Sequence, residues 1–284
     1  MTQGVEIERV FLRHRPQHVF HAAAYKHVYW MECFPLQAIR ANVLGTQHVL
    51  QSSIASGVER FLLVSSDKAA DPTSVMGATK RLCELLVLSN AGEKMLTAAV
   101  RFGNVLGSRG SVVPTFERQI AAGGPVTITD PRMRRFFMSI GEAVSLLLLA
   151  GSLMTGRDLL MLDMGEEVSI LDLANRMMRL RGLRPNIDIP ITFTGAGVGE
   201  KLSEQLVGTG ERREATTEAG IVRVKGASAP APLDSEQIIR CFQEFVHAGD
   251  EDRALDLLWS SIRPAQSWGG AAEERTPSLD GRPR

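Results

Sequence analysis

The sequence predicts an α/β protein built on a parallel sheet, and three observations carry this. The run Phe61-Leu62-Leu63-Val64 has the length and composition of a buried strand, and it turns polar at once through Ser65-Ser66-Asp67-Lys68. Ligands of parallel α/β sheets bind just beyond such strand ends. Short apolar runs also occupy residues 17–23, 96–101, 126–129, 158–164 and 189–194, with helical or polar stretches between them. Finally, 44% of the 284 residues are hydrophobic, which supplies a sizeable core.

In chain order, residues 5–15 read as the end of an amphipathic helix with Val5, Phe11 and Leu12 as candidate buried positions, and Arg15-Pro16 ends it. Residues 17–23 form a strand. The small residues Ala22, Ala23 and Ala24 at its end let a ligand approach the backbone. Residues 32–57 read as one long helix. After Phe61–Val64, the segment Asp71-Pro72-Thr73-Ser74 punctuates, and Thr73 or Ser74 caps a helix running from about Val75 to Ser89. Met76 and Lys80, four apart on that helix, share a face. Beyond strand 96–101, the Gly/Ser loop 108–114 runs into a helix whose free N–H groups, with Arg109 beside them, suit an anion. Strand 126–129, the turn Asp130-Pro131, an apolar core helix at 141–154, strand 158–164, a helix at 169–180 capped by Ser169, and strand 189–194 follow. Residues 264–284 are rich in Pro, Gly, Ser and charge and are expected to be disordered.

Net charge is zero, which gives no basis for a nucleic-acid or anionic-membrane surface. Cys33, Cys83 and Cys241 are far apart, with neither metal-ligand spacing nor a disulfide framework, so no metal is expected and a reducing cytoplasm fits best. No signal-peptide pattern is present. The longest apolar run, 143–154, holds Gly151 and Ser152 and is too short for a membrane span.

Several words, in order over about residues 5–225, carry a family resemblance. They are His21-Ala-Ala-Ala-Tyr-Lys-His-Val28, Asn42 with Gly45-Thr46, Ser66-Asp67-Lys68-Ala69, Val75-Met76-Gly77-Ala78-Thr79-Lys80, Arg101-Phe102-Gly103-Asn104-Val105-Leu106-Gly107, Arg132 to Met138, Asp163-Met164-Gly165-Glu166 and Gly199-Glu200-Lys201-Leu202. Taken together, the chain resembles the polysaccharide-biosynthesis branch of the nucleotide-sugar 4,6-dehydratases, in the extended short-chain dehydrogenase superfamily. The resemblance implies an NAD(P)-binding Rossmann-like sheet with a smaller substrate-binding part. Residues 1–112 would be an incomplete Rossmann-like domain holding the family's fourth to sixth strands. Residues 113–250 would be the sugar-nucleotide part, partly interleaved with the sheet.

The implied activity is conversion of UDP-N-acetylglucosamine to a UDP-4-keto-6-deoxy-hexosamine for capsule or O-antigen polysaccharide. Lys68 would take the C5 proton if a cationic or dry setting favours its neutral form. Asp67 would protonate the leaving C6 hydroxyl, Ser66 would bond O4, and Met76 and Lys80 would complete the catalytic face. Ala22, Ala23, Tyr25, Asn42 and Lys80 would meet NADP or NAD. Lys26, Asn104, Arg109, Ser111, Val112, Arg135 and Glu200 would meet the UDP-sugar. His21 reads as a packed histidine.

Three departures stand out. Met76 occupies the superfamily's tyrosine position, and a thioether cannot shuttle a proton; methionine here also resembles the long-chain branch. Gly197 stands where the family has a diphosphate-contacting arginine, a loss of about 1.5–3 kcal/mol of nucleotide binding. Arg134 replaces a threonine. In addition, no Gly-rich turn precedes His21, so the chain is expected to be N-terminally truncated, with strand 17–23 a bare sheet edge. The membrane-anchoring segment of long-chain relatives is expected to be missing with it. Two alternatives stay open: a non-catalytic fragment or partner subunit complemented by an N-terminal fragment, and a UDP-sugar epimerase on the same fold. A homo-oligomer is compatible with each.

Overall fold

The computed structural model describes residues 4–89, 94–226 and 234–263; the tail expected to be disordered, 264–284, lies outside them. Helix α1 (Gly4–His14) is followed by Arg15 at a φ of 43° and by strand β1 (His18–His21). The single helix expected over residues 32–57 is broken. Helix α2 (Val28–Cys33) stops at Phe34, and Pro35 opens α3 (Pro35–Ala38) at a position where its missing N–H is harmless. From there the chain passes through a π-helical stretch, Ile39–Leu44, into α4 (Gly45–Ala55).

Next come β2 (Arg60–Val64), a 3-10 turn at Asp67–Ala69, α5 (Val75–Ser89) and β3 (Leu96–Arg101). The strand β4 (Asn104–Val105), α6 (Val112–Ala121), β5 (Val126–Ile128), β6 (Arg134–Arg135) and β7 (Phe137–Met138) follow. Then come α7 (Ile140–Ser152), β8 (Arg157–Leu162), β9 (Val168–Ser169), α8 (Ile170–Leu180) and β10 (Ile191–Phe193). The hairpin β11 (Arg212–Ala215) and β12 (Ile221–Lys225) precedes two helices, α9 (Ser235–Ala248) and α10 (Glu251–Ile262).

The main sheet has the order β1-β2-β3-β8-β12-β11. The first four strands run parallel, and the hairpin adds two antiparallel strands. The hairpin escapes a sequence reading because all four β11 residues are exposed, leaving no alternation to mark it. β1 stands at one end of this order, with Phe20 43% exposed. Side chains alternate between the sheet faces as the pleat requires. Phe20 and Leu62 face Gly151 of α7, while His21 lies against Phe61 and bonds Thr46 of α4. Helix α5 is buried nearly all round, from Val75 to Val87, because α10 and α2 cover what the sheet does not.

A second apolar cluster is built from Phe116, Ile120, Val126, Ile128, Met133, Ile170, Met178 and Ile189. The apolar clusters interleave along the chain. The second body takes roughly 112–137 and 170–191, whereas 138–164 and 206–258 pack into the sheet's core.

One buried ionic network ties the layers together. Arg101, at the end of β3, is fully buried and donates to both oxygens of Glu84 on α5 at 2.7 Å each. Its other face donates to Glu211 at 2.6 Å and to the Leu206 carbonyl at 3.2 Å. Arg81 also reaches Glu84 at 2.9 Å, and Ser65 donates to Glu84 at 2.6 Å. Burial alone would raise the Glu84 carboxyl, but the Arg101 charge and hydrogen bonds, with Arg81 and Ser65, hold it down to about 2.

Replacing Arg101 by leucine leaves Glu84 and Glu211 to share the single cation Arg81 and is expected to cost about 3–5 kcal/mol in urea denaturation. Glu84 sheds its proton more readily folded than unfolded. Its contribution is full above its ordinary 4.5 and disappears as pH falls through about 2. A wild-type stability curve that stays flat from pH 5 to pH 2 would refute this.

Candidate active site

Strands β1, β2 and β3 end side by side, and their carboxyl ends open on a cavity of about 440 Å³. The β2 end supplies its floor. Ser66 caps the 3-10 turn, accepting from the Lys68 amide at 3.3 Å and donating to Asp67 Oδ1 at 2.9 Å. Lys68 Nζ lies 2.9 Å from Asp67 Oδ1 and 3.6 Å from Glu204 Oε1. Two buried carboxylates flank Lys68, and its own side chain is 18% exposed, so its nearest charges are negative. Helix α5 begins flush against this turn. A Cβ on Gly77 would collide with the Lys68 carbonyl oxygen. The helix start is capped twice, by Ser74 Oγ accepting from Gly77 N at 3.1 Å and by Glu32 accepting from Val75 N at 2.6 Å.

Met76 and Lys80 both line the cavity. Lys80 donates to the Val64 carbonyl at 2.6 Å. Burial pushes its ammonium below the usual lysine range, with Cys83 and Glu84 opposing. Burial, with Lys80 adding to it, brings His21 down to about 4.

A strap of residues 199–211 runs along the turn that follows β2 and holds it. Thr73 donates to the Gly199 carbonyl, and Lys201 Nζ donates to the carbonyls of Ala70 and Asp71 at 3.0 and 2.6 Å. Asp71, at a φ of 43°, accepts from the Thr209 amide and hydroxyl at 2.8 and 2.9 Å. Glu200, Glu204 and Arg135 form the cavity wall on this side.

Opposite, the loop after β1 brings in Ala22, Tyr25, Lys26 and His27. Lys26 donates to Ser108 at 3.2 Å, and the His27 ring packs on Gly110 and leaves no room for a side chain there, where a φ of 69° also favours glycine. Ser111 precedes α6 without capping it. Its hydroxyl has no partner among the described residues. Asn104, Ser111 and Val112 complete the wall.

Three residues assigned to ligands from the sequence do not line the cavity: Ala23, Asn42 and Arg109. Arg109 is exposed on its loop. Asn42 is spent on the fold. Its Oδ1 accepts from the Tyr25 amide at 2.7 Å, and its Nδ2 donates to the Tyr25 carbonyl and to Thr79, each at 3.0 Å. The charged residue of the wall that sequence reasoning missed is Glu204. Glu204 lies two positions past the Gly199–Leu202 word, in a segment with no periodicity to aim it. Among the described residues, no group of His, Cys, Asp and Glu could hold a metal ion, and no helix is long and apolar enough to cross a membrane.

A family model described as "Polysaccharide biosynthesis protein" matches residues 2–226. The chain is 50% identical over 201 residues to the probable polysaccharide biosynthesis protein EpsC of Bacillus subtilis, covering 70% of this chain and 33% of that protein. To the capsular polysaccharide biosynthesis protein CapD of Staphylococcus aureus it is 49% identical over 212 residues, covering 74% and 35%. It therefore spans about a third of the length of these relatives. A UDP-glucose 4-epimerase of Rickettsia canadensis is 37% identical over 206 residues, covering 71% and 59%. Among solved structures, Pen from Bacillus thuringiensis superposes with a TM-score of 0.69 at 32% identity, covering 78% of this chain and 70% of that one. MoeE5 in complex with UDP-glucose and NAD gives 0.58 at 29% identity, covering 66% and 69%.

Asn42→Leu removes three hydrogen bonds and is expected to cost about 1–3 kcal/mol and to speed amide exchange at Tyr25, both readable by hydrogen exchange. His21 is neutral when folded, so protonation opposes folding below its ordinary 6.5. Stability is expected to rise from about pH 4 to pH 6.5, and His21→Asn should flatten that rise.

Proposed function

We propose, from the premise that this chain belongs to the polysaccharide biosynthesis protein family of extended short-chain dehydrogenases, that it carries the elimination site of a UDP-N-acetylglucosamine 4,6-dehydratase. The observation that carries this reading is the Asp67–Lys68 pair, an acid and a base 2.9 Å apart on a cavity floor beyond parallel strands. Loss of water across C5 and C6 needs one group to take a proton and another to give one. Exchange at C4 alone does not.

A nicotinamide dinucleotide, when bound, would supply reversible hydride transfer, first from C4 and finally to C6. The residues present fit its nicotinamide end. Ala22 and Ala24 line the cavity with small side chains, Tyr25 stands beside them, and Lys80 keeps two of its three donors after bonding Val64. We assign this chain that end alone. The Asp67–Lys68 pair, 2.9 Å apart, shares one proton; with that proton on Asp67 and C4 a ketone, Lys68 takes the acidified C5 proton, Asp67 donates its own to the departing C6 oxygen, and Lys68 returns a proton to C5 as hydride reaches C6. Ser66 orders the pair by bonding both the Asp67 carboxylate and the Lys68 amide. The proton of the C4 hydroxyl refills the pair, a task Met76 cannot perform. The start of α6, with Ser111 and with Lys26 across the cavity, is suited to the diphosphate. Asn104, Arg135 and Glu200 are offered to the sugar and uridine.

A second reading, a UDP-sugar epimerase, is favoured by the 37% identity to the Rickettsia protein. The test is incubation of the chain with NAD or NADP and UDP-N-acetylglucosamine in deuterated water, followed by NMR. A 6-deoxy-4-keto product carrying deuterium at C5 is expected, and Lys68→Ala should lower its rate at least about a hundredfold. A C4 epimer without loss of water would replace this reading by the second. Calorimetry showing no dinucleotide binding by the folded chain would point instead to a partner subunit.

A further inference from the structure

We propose that Glu204 is the positioning residue of Lys68: a second carboxylate, across from Asp67, that holds the amine at the cavity wall and receives it as an ammonium once it has taken a proton. The identity of that proton rests on the dehydratase reading; the placement of Glu204 does not.

Glu204 sits on the strap between Lys201, which clamps the catalytic turn, and Leu206, whose carbonyl accepts from Arg101. It is 4% exposed and lines the cavity. Its Oε1 lies 3.6 Å from Lys68 Nζ and 4.0 Å from Arg135 Nη2. Its Oε2 is buried and has no partner among the described residues, and the same holds for Asp67 Oδ2.

Glu84 provides the contrast. There both oxygens are bonded, one to Arg101 and Ser65, the other to Arg101 and Arg81. A carboxylate that only braces a fold is satisfied in this way, because a buried acceptor without a donor destabilises the chain. Glu204 instead turns one oxygen toward Lys68 and leaves the other unbonded at a cavity wall. An ammonium has three donors. Asp67 takes one, and Glu204 stands by a second.

The step balances within these groups. Lys68 as free amine takes the C5 proton, and the C5–H electron pair becomes the C5–C6 double bond as the C6–O bond breaks. Protonated Asp67 gives its proton to the departing hydroxyl, and water leaves. The pair then holds a lysinium between two carboxylates, with the positive Arg135 and Lys80 at the same cavity.

Competitive acetylation of the full chain with acetic anhydride at pH 8, read peptide by peptide in a mass spectrometer, tests this with Lys94 and Lys225 as internal references. Glu204→Gln should speed Lys68 labelling at least three-fold relative to those lysines, and Glu204→Asp should bring the rate back toward that of the parent chain. An unchanged Lys68 rate in Glu204→Gln, an equal change in Glu204→Asp, or a Glu204→Gln chain that fails to fold would each overturn the proposal. With substrate, Glu204→Gln should lower kcat more than ten-fold and leave KM within two-fold. If the parent chain shows no dehydration, the dehydratase reading falls while the labelling still decides the role of Glu204.

Discussion

A guanidinium with no access to water sits at the centre of this structure. Arg101 ends β3, one of the two central strands of the sheet, and burying it is tolerable only because Glu84 and Glu211 meet it on both sides. Those two carboxylates come from different places. Glu84 lies on α5, the helix that carries Met76 and Lys80, and Glu211 ends the strap that carries Glu204. One cation therefore fixes the sheet, the helix and the strap in a single arrangement. Ser65 joins the same network through Glu84, so the turn that begins one residue later is anchored from behind.

The cavity follows from that anchoring. Its floor is a turn held from three directions: by Ser66 from within, by the start of α5 below, and by Lys201 and Thr209 from the strap. Gly77 is needed because α5 runs so close to the turn's backbone that any side chain there would displace Lys68. Behind the far wall Asn42, within the π-helical stretch, clips Tyr25 by both its backbone groups. This clip positions Tyr25 to His27 without joining the wall itself. A π-helical stretch in such a place agrees with the general association of these irregularities with functional sites.

Much of this was legible beforehand. The polar break after Phe61–Val64 locates the cavity floor, and the spacing of four between Met76 and Lys80 puts both on its wall. Ser74 and Ser169 cap helices as their residue types suggest. Other features were hidden for identifiable reasons. Pro35 interrupts a run that is otherwise helical throughout, and it begins a helix as readily as it ends one. Asn42 reads as a ligand residue or a brace with equal ease, because an amide suits both and only its neighbours decide. Arg109 has the charge an anion site calls for, yet its loop turns it to solvent.

What the sequence determined by itself was local: which runs are strands, where they turn polar, which residues cap helices, and the family word order from His21 to Leu202. The strands, breaks and caps follow from periodicity and from side-chain chemistry within a few positions; the word order rests on resemblance to a family. What the tertiary structure decided was long-range. It brought Glu204 to Lys68 across 136 positions, paired Glu211 with Arg101 across 110, and divided the chain into two apolar bodies that its order does not separate. The strap has no amphipathic period to betray its partners. Its placement comes from satisfying buried charge, a requirement of the folded interior that no local pattern records.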